Sequence, residues 1–335
     1  MNMISNQKRN GVLVKWFFLF LFCFFVTKNA PAQTFDGEQV EQLIAYAQKE
    51  GLINMNHQRA LEILDQIIQQ GVDDVIQRAD AYYIRSAIRA TIGRLQGALE
   101  DITRSMALFP NHASSYETLG FIHIEMGRYT DALKATNRAI ELDNSQLIFF
   151  ANRAVVHMRL REFDKAKDDL NYVLSIDPQF PQALAHRASL HLDTGDFKIA
   201  FSYIDQAIKL YPTGRGFFRI RGMANYNLEN YNDALSDYNM AIELDRFSTA
   251  AYIRRGLLLN RMGKNLEALN DFNTALTLAP SNYAIYLHRA SVHLDMGNLA
   301  AAFNDIVEHA RQSGDEKFFI EQYKLMRKQY DLRFP

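Results

Sequence analysis

Between Ala79 and Glu316 the sequence repeats itself every 34 residues, seven times, without insertion or deletion. Numbering each copy 1 to 34 from Ala79, position 20 is always alanine: Ala98, Ala132, Ala166, Ala200, Ala234, Ala268 and Ala302. Position 8 is always small, as Ser86, Gly120, Ala154, Ala188, Gly222, Gly256 and Ala290. Small residues at these two offsets let a pair of antiparallel helices approach closely, where a large side chain would push the backbones apart. The rest of the unit agrees with a helix, a tight turn and a second helix. Position 4 is large and apolar or aromatic throughout (Tyr82, Tyr116, Phe150, Leu184, Phe218, Tyr252, Tyr286). Glycine holds position 15 in five copies (Gly93, Gly127, Gly195, Gly263, Gly297), as a left-handed turn after a first helix favours. Pro110, Pro178, Pro212 and Pro280 at position 32 close the second helix and open the next unit. No strand pattern competes in this region.

With the period, the small residues at 8 and 20, the small residue at 27 (Ala139, Ala207, Ala241, Ala275) and the proline at 32 in place, these segments resemble tetratricopeptide repeats over 238 of 335 residues. The resemblance implies an all-α fold, a right-handed α-solenoid of helix-turn-helix repeats in which each unit touches only its neighbours. The expected repeats are 79–112, 113–146, 147–180, 181–214, 215–248, 249–282 and 283–316. The last departs from the pattern, with His309 at 27 and Gly314 at 32, as a terminal unit adjoining a cap would. Residues 33–78 are expected to form an N-terminal helical cap, with helices over Gly37–Glu50 and His57–Gln70. Ala60 in the second of these resembles position 20, four residues out of phase, which makes the segment a degenerate repeat. Residues 317–335 are expected to give a C-terminal capping helix carrying Phe318, Phe319, Tyr323, Leu325 and Met326.

Residues 1–32 differ in kind. Lys8, Arg9 and Lys15 precede an apolar stretch from Trp16 to Val26, and Ala30-Pro31-Ala32 supplies small residues where a signal peptidase reads. A spanning helix needs about 20 apolar residues, so the reading is a cleaved leader, with no stable membrane anchor afterwards and a mature chain beginning at Gln33. The one cysteine, Cys23, lies within this stretch after Phe22, where a lipoprotein signal would want a small residue. The mature chain then has no disulfide and no thiol chemistry. Its 33 basic residues against 38 acidic ones give a formal net charge of −5, which does not favour nucleic acid as a partner. The expected location is the bacterial cell envelope, periplasmic or secreted.

Two constellations invite chemistry. Position 11 is histidine in four copies (His123, His157, His191, His293). Equivalent atoms in successive copies should lie about 10 Å apart at helix packing distances, against the ~4 Å that ligands sharing one ion allow. Packing is the better reading, and neither a metal nor a cofactor is expected. Position 7 is arginine in six copies and position 23 is aspartate in five, pairing Arg85 with Asp101, Arg153 with Asp169, Arg221 with Asp237, Arg255 with Asp271 and Arg289 with Asp305. Copy two lacks both, and Arg187 faces Tyr203. These are expected ion pairs between the helices of a unit, serving stacking register more than function.

The resemblance places recognition on the inner face, at positions 2, 5, 9, 12 and 13 of the first helices. Read there, Phe121, Ile124, Val155, Met158, Leu192, Met223, Tyr226, Ile253 and Leu257, with Ile148, Leu287 and Leu294, make an apolar track. Glu117, Glu125, Arg159, Asp193, Arg219 and Arg261 interrupt it. The family's chaperone-binding subclass holds a carboxylate terminus with Lys and Asn at positions 5 and 9. Here Arg219 is the one basic residue at either position in seven copies, so that clamp is absent. The sequence therefore points to a non-catalytic scaffold of the cell envelope that binds a protein or peptide segment, apolar or amphipathic, in the groove. A self-assembling structural protein, or a binding subunit for an envelope enzyme carried on another chain, remain its rivals. Nothing in the chain resembles a nucleophile with its base, a metal cluster or a phosphate loop.

Overall fold

The computed structural model describes residues 35–314, together with 317, 320, 321 and 324. The expected leader (1–32) and the apolar residues assigned to the C-terminal cap, Phe318, Phe319, Tyr323, Leu325 and Met326, lie outside the described residues. Two units are distinguished, one ending at Ile84 and one beginning at Arg85. Every described element is helical, and no described helix is long and apolar enough to cross a membrane.

The first unit holds α1 (Gly37–Gln48), a π-wound segment (Lys49–Ile53) and α2 (His57–Gln70). Asp36 opens α1 with a capping box, its carboxylate accepting from the Gln39 amide at 2.9 Å while the Gln39 side chain accepts from the Asp36 amide. The apolar stripe of α2 (Ala60, Leu61, Leu64, Ile67) is buried. With Ala60 set at position 20, α2 covers the same fourteen positions as every second helix from α4 to α14, and Met55, at position 15, has φ 58°. The four-residue phase difference is taken up by α3 (Val75–Thr91). It has 17 residues, where the first helices of copies two, three and six have 13, so one additional turn precedes Ala79.

In the second unit α4 (Leu95–Leu108) is followed by six helix pairs: α5 (Ala113–Glu125) and α6 (Tyr129–Leu142), α7 (Leu147–Arg159) and α8 (Phe163–Ile176), α9 (Pro181–Thr194) and α10 (Phe197–Leu210), α11 (Phe217–Asn227) and α12 (Tyr231–Leu244), α13 (Thr249–Arg261) and α14 (Asn265–Leu278), α15 (Ala284–Asp295) and α16 (Leu299–Ser313). Each first helix packs on its own second helix and on the first helix of the next pair, the arrangement of an α-solenoid.

The turn between paired helices is one conformation used throughout. Position 15 has positive φ in all seven copies, including Arg161 (φ 62°) and Glu229 (φ 63°), where the sequence has no glycine. At position 20 every alanine is fully buried. Position 8 faces position 24 on the partner helix, and in six copies the two are matched in size; copy two departs, with Gly120 facing Thr136. Where position 8 is Gly222 or Gly256, position 24 is Tyr238 or Phe272, and a Cβ on Gly222 would stand 2.6 Å from the Tyr238 ring. Where position 8 is Ser86, Ala154, Ala188 or Ala290, position 24 is Ile102, Leu170, Ile204 or Ile306, all buried. In copy one the Ser86 hydroxyl donates to the Ala98 carbonyl at 2.8 Å, so the helices touch at the two small positions.

Candidate functional site: the first-helix face between copies five and six

The side chains that hold the units in register must be separated from those left to meet a partner. The arginines at position 7 belong to the first group. Arg85, Arg153, Arg221, Arg255 and Arg289 each grip the aspartate of their own second helix through two guanidinium nitrogens, the shorter contacts running from 2.5 to 2.7 Å. Planar guanidinium and carboxylate match in this way, and burial of the aspartates strengthens the bond. Each arginine from copy three onward also reaches back to position 25 of the preceding copy: Arg153 to Asn137 at 3.0 Å, Arg187 to Asn171, Arg221 to Asp205 at 3.2 Å, Arg255 to Asn239 at 2.8 Å and Arg289 to Asn273 at 2.6 Å. An aromatic ring at position 4 lies under the guanidinium in four copies, at 5.3 to 5.7 Å. Copy four substitutes one attraction for another, Arg187 stacking on the Tyr203 ring at 5.6 Å. Burial opposes the charge of Arg221, yet Asp237 and Asp205 together raise its pKa. Carboxylates thus already meet five of the six arginines of this row.

The histidines at position 11 serve the same joints. His157 places Nδ1 at 2.7 Å from Glu162 and Nε2 at 3.9 Å from Asp169; His191 stacks on Tyr203, and His293 stands 4.0 Å from Asp305. Arg89 and Asn225 occupy the same position in copies one and five and bond Asp101 and Asp237 at 2.7 and 2.8 Å. In copy two, where position 23 is Ala135, burial lowers the pKa of His123. The described residues contain no cluster of three or more histidine, cysteine, aspartate or glutamate side chains able to hold a metal.

The sequence-derived track divides. Met158 is a correction: it is 7% exposed and packs with Leu170 and Leu190, so it belongs to the core. Phe121, by contrast, is 40% exposed. Ile124, Val155, Leu192, Met223, Tyr226, Ile253 and Leu257 are half-buried, each with one side against the core and one toward solvent. Glu117 is not a presented charge, because it accepts from Asn152 of the next copy at 2.6 Å and burial raises its pKa.

A cleft of about 520 Å³ opens at the meeting of α11 and α13. Met223, Tyr226, Leu257 and Arg261, all on the track read from sequence, line it. Tyr238 and Arg254 line it too, from positions 24 and 6, which the positional rule does not cover; Asn260 and Asp295 line it from positions 12 and 13, which the rule covers but which the apolar reading passed over. Tyr238 reaches the cleft from a second helix because Gly222 leaves room for its ring. Burial raises the Tyr238 pKa, and the charges of Arg254 and Arg219 work against that rise. Asn260 donates to Asp295 of the next copy at 2.9 Å, and Arg261 donates to the Tyr231 hydroxyl at 3.0 Å. Arg219, beside the cleft, points a nitrogen at the Met223 sulfur at 3.6 Å; burial lowers its pKa, with repulsion from Arg254 and Arg159 added.

Residues 113–146, 185–250 and 253–316 match the tetratricopeptide repeat family. No curated protein sequence matches the chain. Among solved structures, yeast Tom70 is similar at 17% identity and a TM-score of 0.59, over 91% of this chain and 67% of that one. The Cut9-Hcn1 hetero-tetramer of the APC/C is similar at 14% identity and 0.60, over 87% of this chain, which spans about half (56%) of that one. TTC0263, a repeat protein of Thermus thermophilus, gives 19% and 0.50, over 55% of this chain and all of that one. At such identities these likenesses speak to fold alone.

Proposed function

From a chain whose repeats are tetratricopeptide repeats, a kind that mediates contacts between proteins, we propose a non-catalytic scaffold that binds a protein segment on its first-helix face. The observation that carries this reading is the cleft: four residues of a track drawn from positions alone converge on one concavity, where Met223 and Leu257 stand among polar and charged side chains. Half-buried Met223, Tyr226 and Leu257 offer apolar area that is already ordered by core contacts, so a partner that covers it loses little side-chain entropy. An apolar or amphipathic segment suits such a surface, laid in as a helix or an extended strand. We place the scaffold in the cell envelope on the strength of the basic, apolar and Ala30-Pro31-Ala32 segments of its first 32 residues.

Photo-crosslinking in cells tests both parts. A photoreactive side chain at position 257 is expected to capture a discrete partner, and one at Lys167, exposed on a second helix, is expected not to. Equal capture from both would remove the face assignment. The recovered chain should begin at Gln33 by mass; a chain retaining Trp16 would overturn export by cleavage.

A further inference from the structure

We propose that the cleft between copies five and six recognises an acidic side chain of its partner, an Asp or Glu flanked by apolar residues. The inference rests on the proposed first-helix-face reading and names the chemistry of the bound segment. Two populations of arginine lead to it. In the position-7 row five of six members grip buried aspartates, and the sixth, Arg187, lies against Asn171 and the Tyr203 ring. Arg219, Arg254 and Arg261 gather at the cleft, and among the described residues no carboxylate lies within ion-pair distance of any of them. Their nearest partners are a methionine sulfur for Arg219 and a tyrosine hydroxyl for Arg261. Three acids are nearby. Glu229 favours the charge of Arg261 from a distance, without an ion pair. Asp295 is engaged by Asn260, and Glu125 feels Arg159 before Arg219.

Like charges gathered on a partly desolvated surface cost free energy that a bound anion would recover. The excess is local, since the whole chain carries a formal net charge of −1. Bulk attraction to nucleic acid is therefore not the use of these arginines, which sit in one concavity and not along a stripe. The apolar part of the lining decides the rest. Met223 and Leu257 lie beside the guanidinium groups, so the ligand that satisfies both is a carboxylate with an apolar neighbour, as on an amphipathic protein segment. Arg254 and Arg261 are exposed and can rotate to a carboxylate, with Arg219 half-buried beside the cleft.

Selection from a phage-displayed library of random dodecapeptides tests this. The wild-type chain is expected to enrich peptides with Asp or Glu next to Leu, Ile, Phe or Met, and their binding is expected to weaken as salt is raised. The variant R254E/R261E changes two exposed side chains and should fold as the parent does; it is expected to lose those peptides by about ten-fold or more and to enrich Lys and Arg instead. Arg254→Lys should retain the acidic preference. If wild type and R254E/R261E enrich the same apolar peptides, and Met223→Glu abolishes their binding, the acidic inference is overturned and the face assignment stands. If the selected peptides ignore Met223→Glu as well, or if the wild type enriches nothing, both are overturned.

Discussion

At Gly222 a single missing carbon shapes two helices. A Cβ there would sit 2.6 Å from the Tyr238 ring, and the ring is held by burial on its other sides. Gly222→Ala is therefore expected to destabilise the protein by about 1–3 kcal/mol, the range for overpacking a filled core. Adding Tyr238→Leu, which restores the pairing seen at Ala154 with Leu170, should recover most of that loss in urea denaturation. A Gly222→Ala protein as stable as its parent would show that the close approach is slack. The turn residues carry the opposite prediction. Glu229 is exposed with φ 63°, a conformation that costs an L side chain free energy and a glycine almost none. Glu229→Gly is expected to stabilise by about 0.5 kcal/mol or more, net of the extra unfolded-state freedom of glycine. Glycine in five copies made the turn legible in the sequence. That Arg161 and Glu229 adopt it was not legible, because the neighbouring copies impose a conformation that their own side chains disfavour.

Between helices, the arginine at position 7 is a three-way joint: its own helix, the aspartate across the unit, and position 25 of the unit before. Its pairing with position 23 could be read from sequence because the two residues fall in the same copy. The link to position 25 crosses copies and escaped that reading, although its trace is there. Asn137, Asn171, Asp205, Asn239 and Asn273 are each followed one copy later by an arginine, and Thr103 is followed by Leu119. A double-mutant cycle on Arg221 and Asp237 should give a coupling of about 0.5–3 kcal/mol, and additivity would deny the contact. Asp205→Asn should be nearly silent, since asparagine does this work in four other copies, whereas Asp205→Ala should loosen the stacking of copy five on copy four. His186 adds a pH dependence at this scale. Burial pushes its pKa down to about 4 from 6.5, so between those values the unfolded chain takes up a proton that the folded chain refuses. Stability is then lost as pH falls from about 6.5 toward about 4, on the order of 1–3 kcal/mol for a shift of this size. His186→Leu should flatten the dependence of the denaturation midpoint in that window; an unchanged slope would place its cause elsewhere.

Across the whole molecule, seven in-phase copies carried the fold, because a period without insertions leaves one way to stack the units. The N-terminal segment shows the limit of that logic. Its phase difference looked like degeneracy, and it resolves into one additional helical turn before Ala79 with the repeat's own turn and second helix kept. The face was legible only in part. Positional rules name which side of a first helix looks inward, but not how deeply a neighbouring copy covers it, so Met158 proved to be core. Nor do they report second-helix residues that reach through a gap, as Tyr238 does. The account turns on whether the cleft between copies five and six is where a partner sits. Met223→Glu measures that most directly, because Arg219, 3.6 Å from the methionine sulfur, can receive the new carboxylate and let the chain fold. The account predicts a melting curve close to the parent's, together with a loss of about ten-fold or more in affinity for the crosslinked partner, whose apolar side chain would face a charge. A variant that melts normally and binds that partner as tightly as the parent would contradict it.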